Sequence, residues 1–415
     1  MKDYAYVKAF QKLGFGMFVH FGLYSTLGRG EWIYSSLKRS DKDKYFERIK
    51  KFKVRKDWAK KLVKTAKNAG CKYINITTRH HEGFALYDTC GLSDFDAPHS
   101  PCGRDLVREF VDECNAQGIV PFFYHTCFDW HYQKEYCKAT GKKIENQEEY
   151  AEFFKTSDYI GYWHKCVELL CKNYGKIGGF WFDGIWACPK AEWKLDELYA
   201  MIRKYQPEAM IINNTGINDL GGVGHAEIDS VTFERGKPAF ADCSDRPRAG
   251  EMCQTVNDHW GYAEESMRYK TPKELIENLI DCRSYNGNFL LNVGPLGDGS
   301  LRAMDVCLFE FIGKWIKKNK NFIYEAAACN VKAENAIILQ GEECYYAVVK
   351  DVPMQADPNV QRLKQMGRVR VDARILSAEW LDSGEAIEVQ DNAFDVKPFP
   401  YGQSYTARVA KLILA

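Results

Sequence analysis

Residues 159–184, YIGYWHKCVELLCKNYGKIGGFWFDG, decide the fold class of this 415-residue chain. The first part, Tyr159–Asn173, has the apolar spacing of an amphipathic helix, and Gly179–Asp183 (GFWFD) is a short continuous apolar run. Such runs are typical of strands that are buried on both faces of a parallel sheet. A helix followed directly by a strand of this kind is the repeating unit of an α/β fold.

The same unit recurs along the first three quarters of the chain. The other clear apolar runs are 16–22, 71–77, 119–125, 209–214 and Asn288–Val293, with weaker runs near 230–234 and 250–255. Helical patterns occupy residues 56–69, 106–117, 195–204 and 272–285, between these runs. The chain length and the positions of its polar residues favour a (β/α)8-like TIM barrel over a doubly wound sheet.

The pattern changes after Trp315. The segments 336–340, 345–350, 368–371 and 407–414 are short and β-branched or alternating, with turn residues between them. This predicts a small C-terminal antiparallel β-sandwich. We therefore expect a catalytic barrel over residues 1–322 and a sandwich domain over residues 323–415.

Charge and cysteine usage narrow the class of protein. Lys and Arg total 57 against 56 Asp and Glu, a net charge of +1, so neither nucleic acid nor an anionic membrane is an expected partner. No apolar run approaches the roughly 18 residues that span a bilayer, and residues 1–10 lack the apolar core of a signal peptide. The 15 Cys contain no C-x-x-C pair, which predicts reduced, buried thiols in a cytoplasmic protein.

Polar side chains stand at the C-terminal ends of five consecutive predicted strands. In a barrel this face holds the active site, because residues from different strands converge there. Aromatic residues, 14% of the chain, suit stacking on sugar rings but also suit a large core. The polar strand-end residues are His20, His80, His81, Tyr124, His125, Asp183, Asn213 and Asn214.

Asp183 lies between a large aromatic and Gly184, which suits either covalent catalysis on a sugar or capping of the next helix.

In extended backbone only one of His80 and His81 would face a cleft. Their HHEGFA context is not H-E-x-x-H, so no metal is expected.

A retaining glycosidase needs a second carboxyl group about 5–5.5 Å from the nucleophile. Spacing leaves seven candidates: Glu227, Asp229, Glu234, Asp242, Asp245, Glu251 and Asp258.

Nearly the whole chain resembles the α-L-fucosidases of glycoside hydrolase family 29. The resemblance rests mainly on KLGFGMFVHFGLYS (12–25), AGCKYINITTRHHEGFALYDT (69–89), FWFDG (180–184), EMCQTVNDHWGY (251–262) and NGNFLLNVGPLGDG (286–299). It implies a retaining, exo-acting enzyme that needs no cofactor and removes terminal α-L-fucosyl residues from an oligosaccharide or glycoconjugate. It is compatible with a homo-oligomer. The alternatives are a same-fold glycosidase for another fucose-like sugar and a non-catalytic carbohydrate-binding relative.

The resemblance also implies roles for individual residues. Asp183 takes the place of the nucleophile, and Glu234 that of the acid/base, with Glu251 as second choice because Gly250 replaces the Trp of the family's Trp-Glu-x-Cys motif. Several members carry an Arg after the Asn-Asn strand where this chain has Thr215, and Arg235 is a candidate substitute. The implied fucose-binding residues are His20, Glu31, Trp32, His80, His81, Tyr124 and Trp181.

Overall fold

The computed structural model describes residues 4–357 and 367–415. Eight parallel strands close into a barrel in sequence order, which confirms the predicted fold class. The strands are β1 Phe15–Val19, β2 Tyr73–Arg79, β3 Val120–Thr126, β4 Gly179–Asp183, β5 Met210–Asn213, β6 Ser230–Thr232, β7 Ala249–Thr255 and β8 Asn288–Val293.

The helices surround the barrel unevenly. They are α1 Ala5–Gln11, α2 Ile33–Ser36, α3 Arg39–Phe46, α4 Trp58–Asn68, α5 Leu106–Gln117, α6 Trp130–Thr140, α7 Gln147–Thr156, α8 Tyr159–Asn173, α9 Leu195–Tyr205, α10 Pro272–Ser284 and α11 Ala303–Glu325. Within residues 4–357 no helix lies between β5 and β6 or between β6 and β7. Those two connections are loops on the side of the barrel that carries Glu234.

Local sequence fixes where the outer helices begin and end. The Asp105 carboxylate accepts a hydrogen bond from the Arg108 N–H at the start of α5, and Gly118 ends the helix in the left-handed region at φ 71°. Thr271 caps α10 in the same way, with Pro272 at its first helical position. These caps set the depth at which β3 and β8 enter the barrel.

Aromatic and aliphatic side chains fill the barrel from the bottom upward. Phe10 of α1 closes the N-terminal end, with its ring 5.6 Å from that of Tyr73 and 5.5 Å from that of Phe122. Trp181 and Phe18 form a higher layer, with ring centroids 5.1 Å apart. The barrel interior is therefore a packed core below the Trp181 layer.

The C-terminal region forms two antiparallel sheets and a two-stranded parallel pair. One sheet has the order β15-β18-β12-β11-β9 and the other β10-β14-β16, and a common apolar core lies between them. The domain boundary at residue 322 stays a prediction. Helix α11 continues to Glu325. It packs against the sandwich through Trp315, whose indole N–H donates to the Ala407 carbonyl. The strands are β9 Ala327–Ala328, β10 Ala333–Glu334, β11 Ile337–Gln340, β12 Tyr345–Lys350, β13 Met354–Gln355, β14 Arg368–Val371, β15 Ile375–Trp380, β16 Ala393–Asp395, β17 Phe399–Pro400 and β18 Ala407–Leu414.

All fifteen cysteines lie in the described residues and none forms a disulfide. The expectation that all are buried is wrong for six of them: Cys90 and Cys243 are exposed, and Cys102, Cys137, Cys307 and Cys329 are partly exposed. Across the two described ranges, no helix combines the length and the apolar character needed to cross a bilayer.

A buried ion pair supports the loop after β2. Arg79 and Asp129 lie 3.3 Å apart, both almost fully buried, and Asp129 also caps α6 by accepting from the Tyr132 N–H. Asp129→Ala is expected to lower the free energy of unfolding by about 3–5 kcal/mol, because it leaves a buried guanidinium without its counter-charge. Urea unfolding followed by tryptophan fluorescence measures the change.

The exposed pair of Glu47 and Lys50 provides the control for this prediction. Glu47→Ala should leave the unfolding midpoint unchanged, because an exposed pair gains little over its separate hydration. Equal midpoints for the two variants would contradict the structural role given to Asp129.

Candidate active site

A pocket with an empty volume of about 370 Å³ opens at the C-terminal end of the barrel. Seven of the eight strands or the loops that follow them contribute to its wall. The lining residues are Phe18, His20, Trp32, His80, His81, Tyr124, Trp181, Asp183, Trp186, Asn214, Glu234 and Trp260.

Asp183 is the most strongly held group in the pocket. One carboxylate oxygen, Oδ1, accepts from Trp186 Nε1 at 2.8 Å and from Asn214 Nδ2 at 3.1 Å. The other, Oδ2, accepts from the Tyr124 hydroxyl at 2.7 Å, and His81 Nε2 lies 3.6 Å from it. Three donors fix the carboxylate in one orientation at the end of β4.

Glu234 shares a hydrogen-bond donor with Asp183. Asn214 Nδ2 donates at 3.1 Å to Asp183 Oδ1 and at 2.8 Å to Glu234 Oε2, so these two oxygens lie at most about 6 Å apart. A separation near 5–5.5 Å is typical of retaining glycosidases, and 6.5–9.5 Å of inverting ones. This bound on one oxygen pair is compatible with the shorter of the two separations.

The surroundings of Glu234 favour its protonated form. Burial raises the pKa of Glu234 above its usual range and the charge of Asp183 raises it further, while the Asn214 hydrogen bond acts in the opposite direction. Strand β6 ends at Thr232, two residues earlier than the predicted run, so Glu234 lies on the loop beyond the strand. This loop position lets its carboxyl group lean over Asp183.

Glu251 lies below the pocket and does not line it. It is the third residue of β7, pairs in register with Thr232, and accepts from Trp181 Nε1 at 2.9 Å and from the Tyr73 hydroxyl at 2.5 Å. Burial raises the pKa of Glu251 to about 7. Its geometry holds Trp181 in place and gives it no path to a ligand above that indole.

His20 presents a hydrogen-bond acceptor to the pocket. Asn292 Nδ2 donates to the Trp260 carbonyl at 2.7 Å, so its Oδ1 faces His20 Nδ1 at 2.6 Å, and that nitrogen must carry the proton. Burial lowers the pKa of His20 to about 3. The neutral ring therefore leaves Nε2 free to accept from a bound hydroxyl.

His80 and His81 both line the pocket, which corrects the expectation that only one of them would face it. The His80 carbonyl accepts from the Gly83 N–H in a turn, so the backbone there is not extended. His80 stacks on Tyr124, and His81 Nδ1 contacts Thr126 Oγ1 at 2.6 Å. Burial lowers the pKa of both rings, which favours neutral imidazoles able to bind hydroxyl groups.

The remaining predicted residues occupy different depths. Trp181 forms the floor, whereas Trp32 lies at the rim, 43% exposed, with its ring edge-on to His81. Glu31 lies behind the wall and accepts from the Gly261 N–H at 2.8 Å, which ties the loop of Trp260 to the loop after β1. Arg235 is exposed and lies over Trp260, and it does not reach the pocket lining.

Three lining residues had no role in the sequence-based assignment of the site: Phe18, Trp186 and Trp260. Asn214 was counted among the polar strand-end residues but was given no individual role. Phe18 shares the inward face of β1 with His20, and this period-two spacing was the available signal. Trp186 lies three residues after Asp183 on a short 3-10 turn, a position that no strand pattern predicts. Within the described residues, no group of three or more His, Cys, Asp or Glu side chains has the arrangement of a metal site.

Comparisons with known proteins identify the family of the chain. The model of the alpha-L-fucosidase family matches residues 1–321. The structure of alpha-L-fucosidase isoenzyme 1 from Paenibacillus thiaminolyticus is 30% identical, with a TM-score of 0.81 and 99% of each chain covered. The tissue alpha-L-fucosidase of Rattus norvegicus is 24% identical over 97% of this chain and 89% of its own length.

A third similar structure is a GH29 alpha-L-fucosidase from Bacteroides thetaiotaomicron. It is 24% identical, with a TM-score of 0.79, and the alignment covers all of this chain and 96% of that one, which shows a common fold. Together with the family match over more than three quarters of the sequence, these similarities establish that the chain belongs to the alpha-L-fucosidase family of glycoside hydrolases.

Proposed function

We propose that this chain is a retaining exo-α-L-fucosidase that hydrolyses terminal α-L-fucosyl residues of oligosaccharides or glycoconjugates. The observation that carries the proposal is the carboxyl pair of Asp183 and Glu234, bridged by one nitrogen of Asn214 inside the barrel-end pocket. Family membership supplies the sugar, and the spacing of the pair supports retention.

In the first step Asp183 attacks the anomeric carbon. Glu234 gives its proton to the glycosidic oxygen, the bond between that oxygen and the anomeric carbon breaks, and the aglycone leaves as an alcohol. The product is a fucosyl ester of Asp183. In the second step the Glu234 carboxylate takes a proton from water, the hydroxyl oxygen bonds to the anomeric carbon, and Asp183 leaves as carboxylate.

The pocket wall matches a deoxy sugar. His20 Nε2 and the rings of His80 and His81 can bind ring hydroxyls, whereas Phe18 and Trp181 offer apolar surface on the same face. A methyl group placed against this apolar surface needs no polar partner, whereas a hydroxymethyl group placed there would need one. Trp181 closes the pocket at its floor and Trp32 lies at its open rim, which suits one terminal residue and therefore exo action.

A solved relative is consistent with covalent catalysis. In a Bacteroides thetaiotaomicron structure that is also 24% identical to this chain, a GH29 alpha-L-fucosidase is trapped as a covalent intermediate in complex with 2-fluoro-fucosyl fluoride. We extend that mechanism to Asp183, the carboxylate that three donors hold at the end of β4.

Proton NMR of a running hydrolysis tests the proposal. With 4-nitrophenyl α-L-fucoside as substrate, α-L-fucose should appear before mutarotation, and the matched α-L-galactoside should react about a hundredfold more slowly. First-formed β-L-fucose would mean inversion. Preference for the galactoside would favour another fucose-like sugar, and fucose binding without hydrolysis would favour a carbohydrate-binding protein.

Trp32→Ala should raise KM for 4-nitrophenyl α-L-fucoside about tenfold and leave kcat nearly unchanged. The half-exposed indole offers its face to ligand at the rim and makes no contact with the two carboxylates, so its loss removes binding that is uniform along the reaction. Initial-rate kinetics separate the two constants.

Phe240→Ala is the matched control because Phe240 is also an exposed aromatic, 60% exposed, but lies against Tyr285 outside the pocket. It should change neither constant. A fall in kcat for Trp32→Ala with KM preserved would place Trp32 in the chemical step instead.

A further inference from the structure

The side-chain amide of Asn214 touches both carboxyl groups of the reaction. It lies at the end of β5, 3% exposed, and its nitrogen has two hydrogens for two acceptors, Asp183 Oδ1 and Glu234 Oε2. No other donor among the described residues contacts both acids. A bridge of this kind fixes their separation and their relative tilt at once.

The orientation of this amide is determined by its oxygen. Asn214 Oδ1 accepts from the Gly216 N–H at 3.2 Å and from the Thr232 hydroxyl at 3.1 Å. The Gly216 N–H can only donate, so the atom facing it must be the oxygen and the atom facing the carboxylates must be the nitrogen. Rotating the amide by half a turn would break the contacts with the Gly216 N–H and with the Asp183 carboxylate.

We propose that Asn214 is a positioning residue for the reaction: its two N–H groups hold Asp183 and Glu234 at the retaining distance, leave Asp183 Oδ2 as the attacking oxygen, and confine the acid proton of Glu234 to Oε1. This rests on the proposed function, because it assigns roles within the same double displacement. It adds which oxygen of each carboxyl group reacts.

The attacking oxygen follows from the donors on Asp183. Oδ1 accepts from both Trp186 Nε1 and Asn214 Nδ2, so its two in-plane lone pairs are occupied. Oδ2 accepts from the Tyr124 hydroxyl alone within hydrogen-bond distance, which leaves one lone pair for the anomeric carbon. The new C–O bond therefore forms at Oδ2.

The position of the acid proton follows in the same way. Glu234 Oε2 accepts an N–H of Asn214, and in a protonated carboxyl group the carbonyl oxygen is the stronger acceptor, so this contact favours the proton on Oε1. The proton that reaches the glycosidic oxygen is therefore carried on Oε1. After it has been transferred, the same N–H stabilises the carboxylate that must act as base in the second step.

The pKa of Glu234 depends on the groups around it, so a change in that pKa reports the loss of the Asn214 hydrogen bond. Asp183 and Glu31 act on Glu234 with negative charge, Arg235 acts with positive charge, and Asn214 donates its hydrogen bond. Cys253 also lies near this group, and burial raises the pKa of its thiol well above the usual range, so it stays neutral. Because the Asn214 N–H favours the ionised form, its loss should move the titration of Glu234 to higher pH.

The test compares the pH dependence of kcat/KM for wild type, Asn214→Ala and Asn214→Asp on a fucosylated oligosaccharide, whose leaving group needs the proton of Glu234. Asp keeps an acceptor for Gly216 and Thr232 but turns an oxygen toward the two carboxylates. We expect kcat/KM to fall about a hundredfold in both variants. The alkaline limb should shift upward in both, by about one pH unit in Asn214→Asp, where a third negative charge is added.

Thr232→Val is the control for local damage. It removes one of the two donors to the Asn214 oxygen while the nitrogen keeps its acceptors. It should lower the melting temperature and leave the alkaline limb where it is in wild type. A limb that moves equally in Thr232→Val would show that loosening of this loop, and not loss of the bridge, causes the shift.

Trapping with 2-fluoro-fucosyl fluoride gives a second measurement that does not depend on how well the variants fold. A crystal structure of the trapped wild type should show the anomeric carbon bonded to the Asp183 oxygen nearest Tyr124. A bond to the oxygen nearest Trp186, or variants with an unmoved alkaline limb and full activity, would overturn the inference. A wild type that neither hydrolyses the fucoside nor is trapped would refute the proposed function itself.

Discussion

Asp183→Gly is expected to lower kcat on 4-nitrophenyl α-L-fucoside by about 10⁴-fold, because the reaction loses the group that forms the covalent intermediate. The remaining pocket still binds the sugar, since its contacts lie on other strands. KM should therefore change far less than kcat. Initial-rate kinetics with the purified variant give both constants.

Sodium azide should restore activity to Asp183→Gly. The deleted side chain leaves space at the end of β4, and azide entering there attacks the anomeric carbon from the face that the carboxylate used. The product is β-L-fucosyl azide, inverted relative to the substrate, and NMR identifies it. Full activity of the variant without azide would remove Asp183 from the mechanism.

Asp183→Asn is the matched control. It keeps the volume of the side chain and an oxygen for Tyr124, Trp186 or Asn214, but its amide is a poor nucleophile. We expect it to be as inactive as the glycine variant and not to respond to azide, because the space is filled. Rescue of both variants alike would mean that azide acts elsewhere in the pocket.

The barrel could be predicted from the sequence because its strands are buried on both faces. The predicted strand 179–183 and the helices 106–117 and 159–173 have the observed bounds, since a continuous apolar run has only one place in a parallel sheet. Strand β6 has three residues and pairs with β5 at one position only, so its end at Thr232 was set by neighbours and not by its own pattern.

The depth of each side chain along the barrel axis could not be predicted from the sequence. Glu251 lies on β7, and Glu234 lies on the loop that follows the neighbouring strand β6. The register places Glu251 opposite Thr232, one layer below the loop that carries Glu234. A sequence shows the alternation of side chains along each strand, but the stagger between strands depends on closure of the whole sheet.

The hydrogen bonds of the site were also beyond sequence reasoning. Asn214 was recognisable as a polar strand-end residue, yet its bridge depends on rotamers of side chains from β4, β5 and the loop after β6. Trp186 reaches Asp183 from a turn that no periodic pattern predicts. These contacts are long-range in sequence or lie in irregular backbone, where pattern arguments have least power.

Glu234→Ala should separate substrates by the basicity of their leaving groups. For a fucosylated oligosaccharide, whose alkoxide needs a proton to leave, kcat/KM should fall about 10³-fold. For a 2-chloro-4-nitrophenyl fucoside, whose phenolate leaves without help, kcat/KM should stay within about tenfold of wild type. Parallel kinetics on both substrates measure the difference.

The pH dependence of activity shows whether Glu234 acts as the acid of the first step. Because burial and Asp183 raise the pKa of Glu234, the group stays protonated above the range of an ordinary glutamate, and activity on the oligosaccharide is lost as the pH rises through that raised pKa. Glu234→Ala should abolish this alkaline limb. Azide should also accelerate its turnover of the aryl fucoside and yield α-L-fucosyl azide, because here azide attacks the fucosyl-enzyme from the opposite face.

Glu251→Gln separates the two candidate acids. Gln keeps an oxygen for Trp181 or Tyr73, and the carboxyl group of Glu251 lies beneath the indole that forms the floor, so it cannot donate to a glycosidic oxygen. Its replacement should therefore slow the oligosaccharide and the aryl fucoside by the same factor, through the position of Trp181. Leaving-group dependence in Glu251→Gln and its absence in Glu234→Ala would reverse the assignment.

The opposite anomers of the two azide products would still identify the faces occupied by nucleophile and acid, because each azide replaces the missing partner on its own side of the sugar.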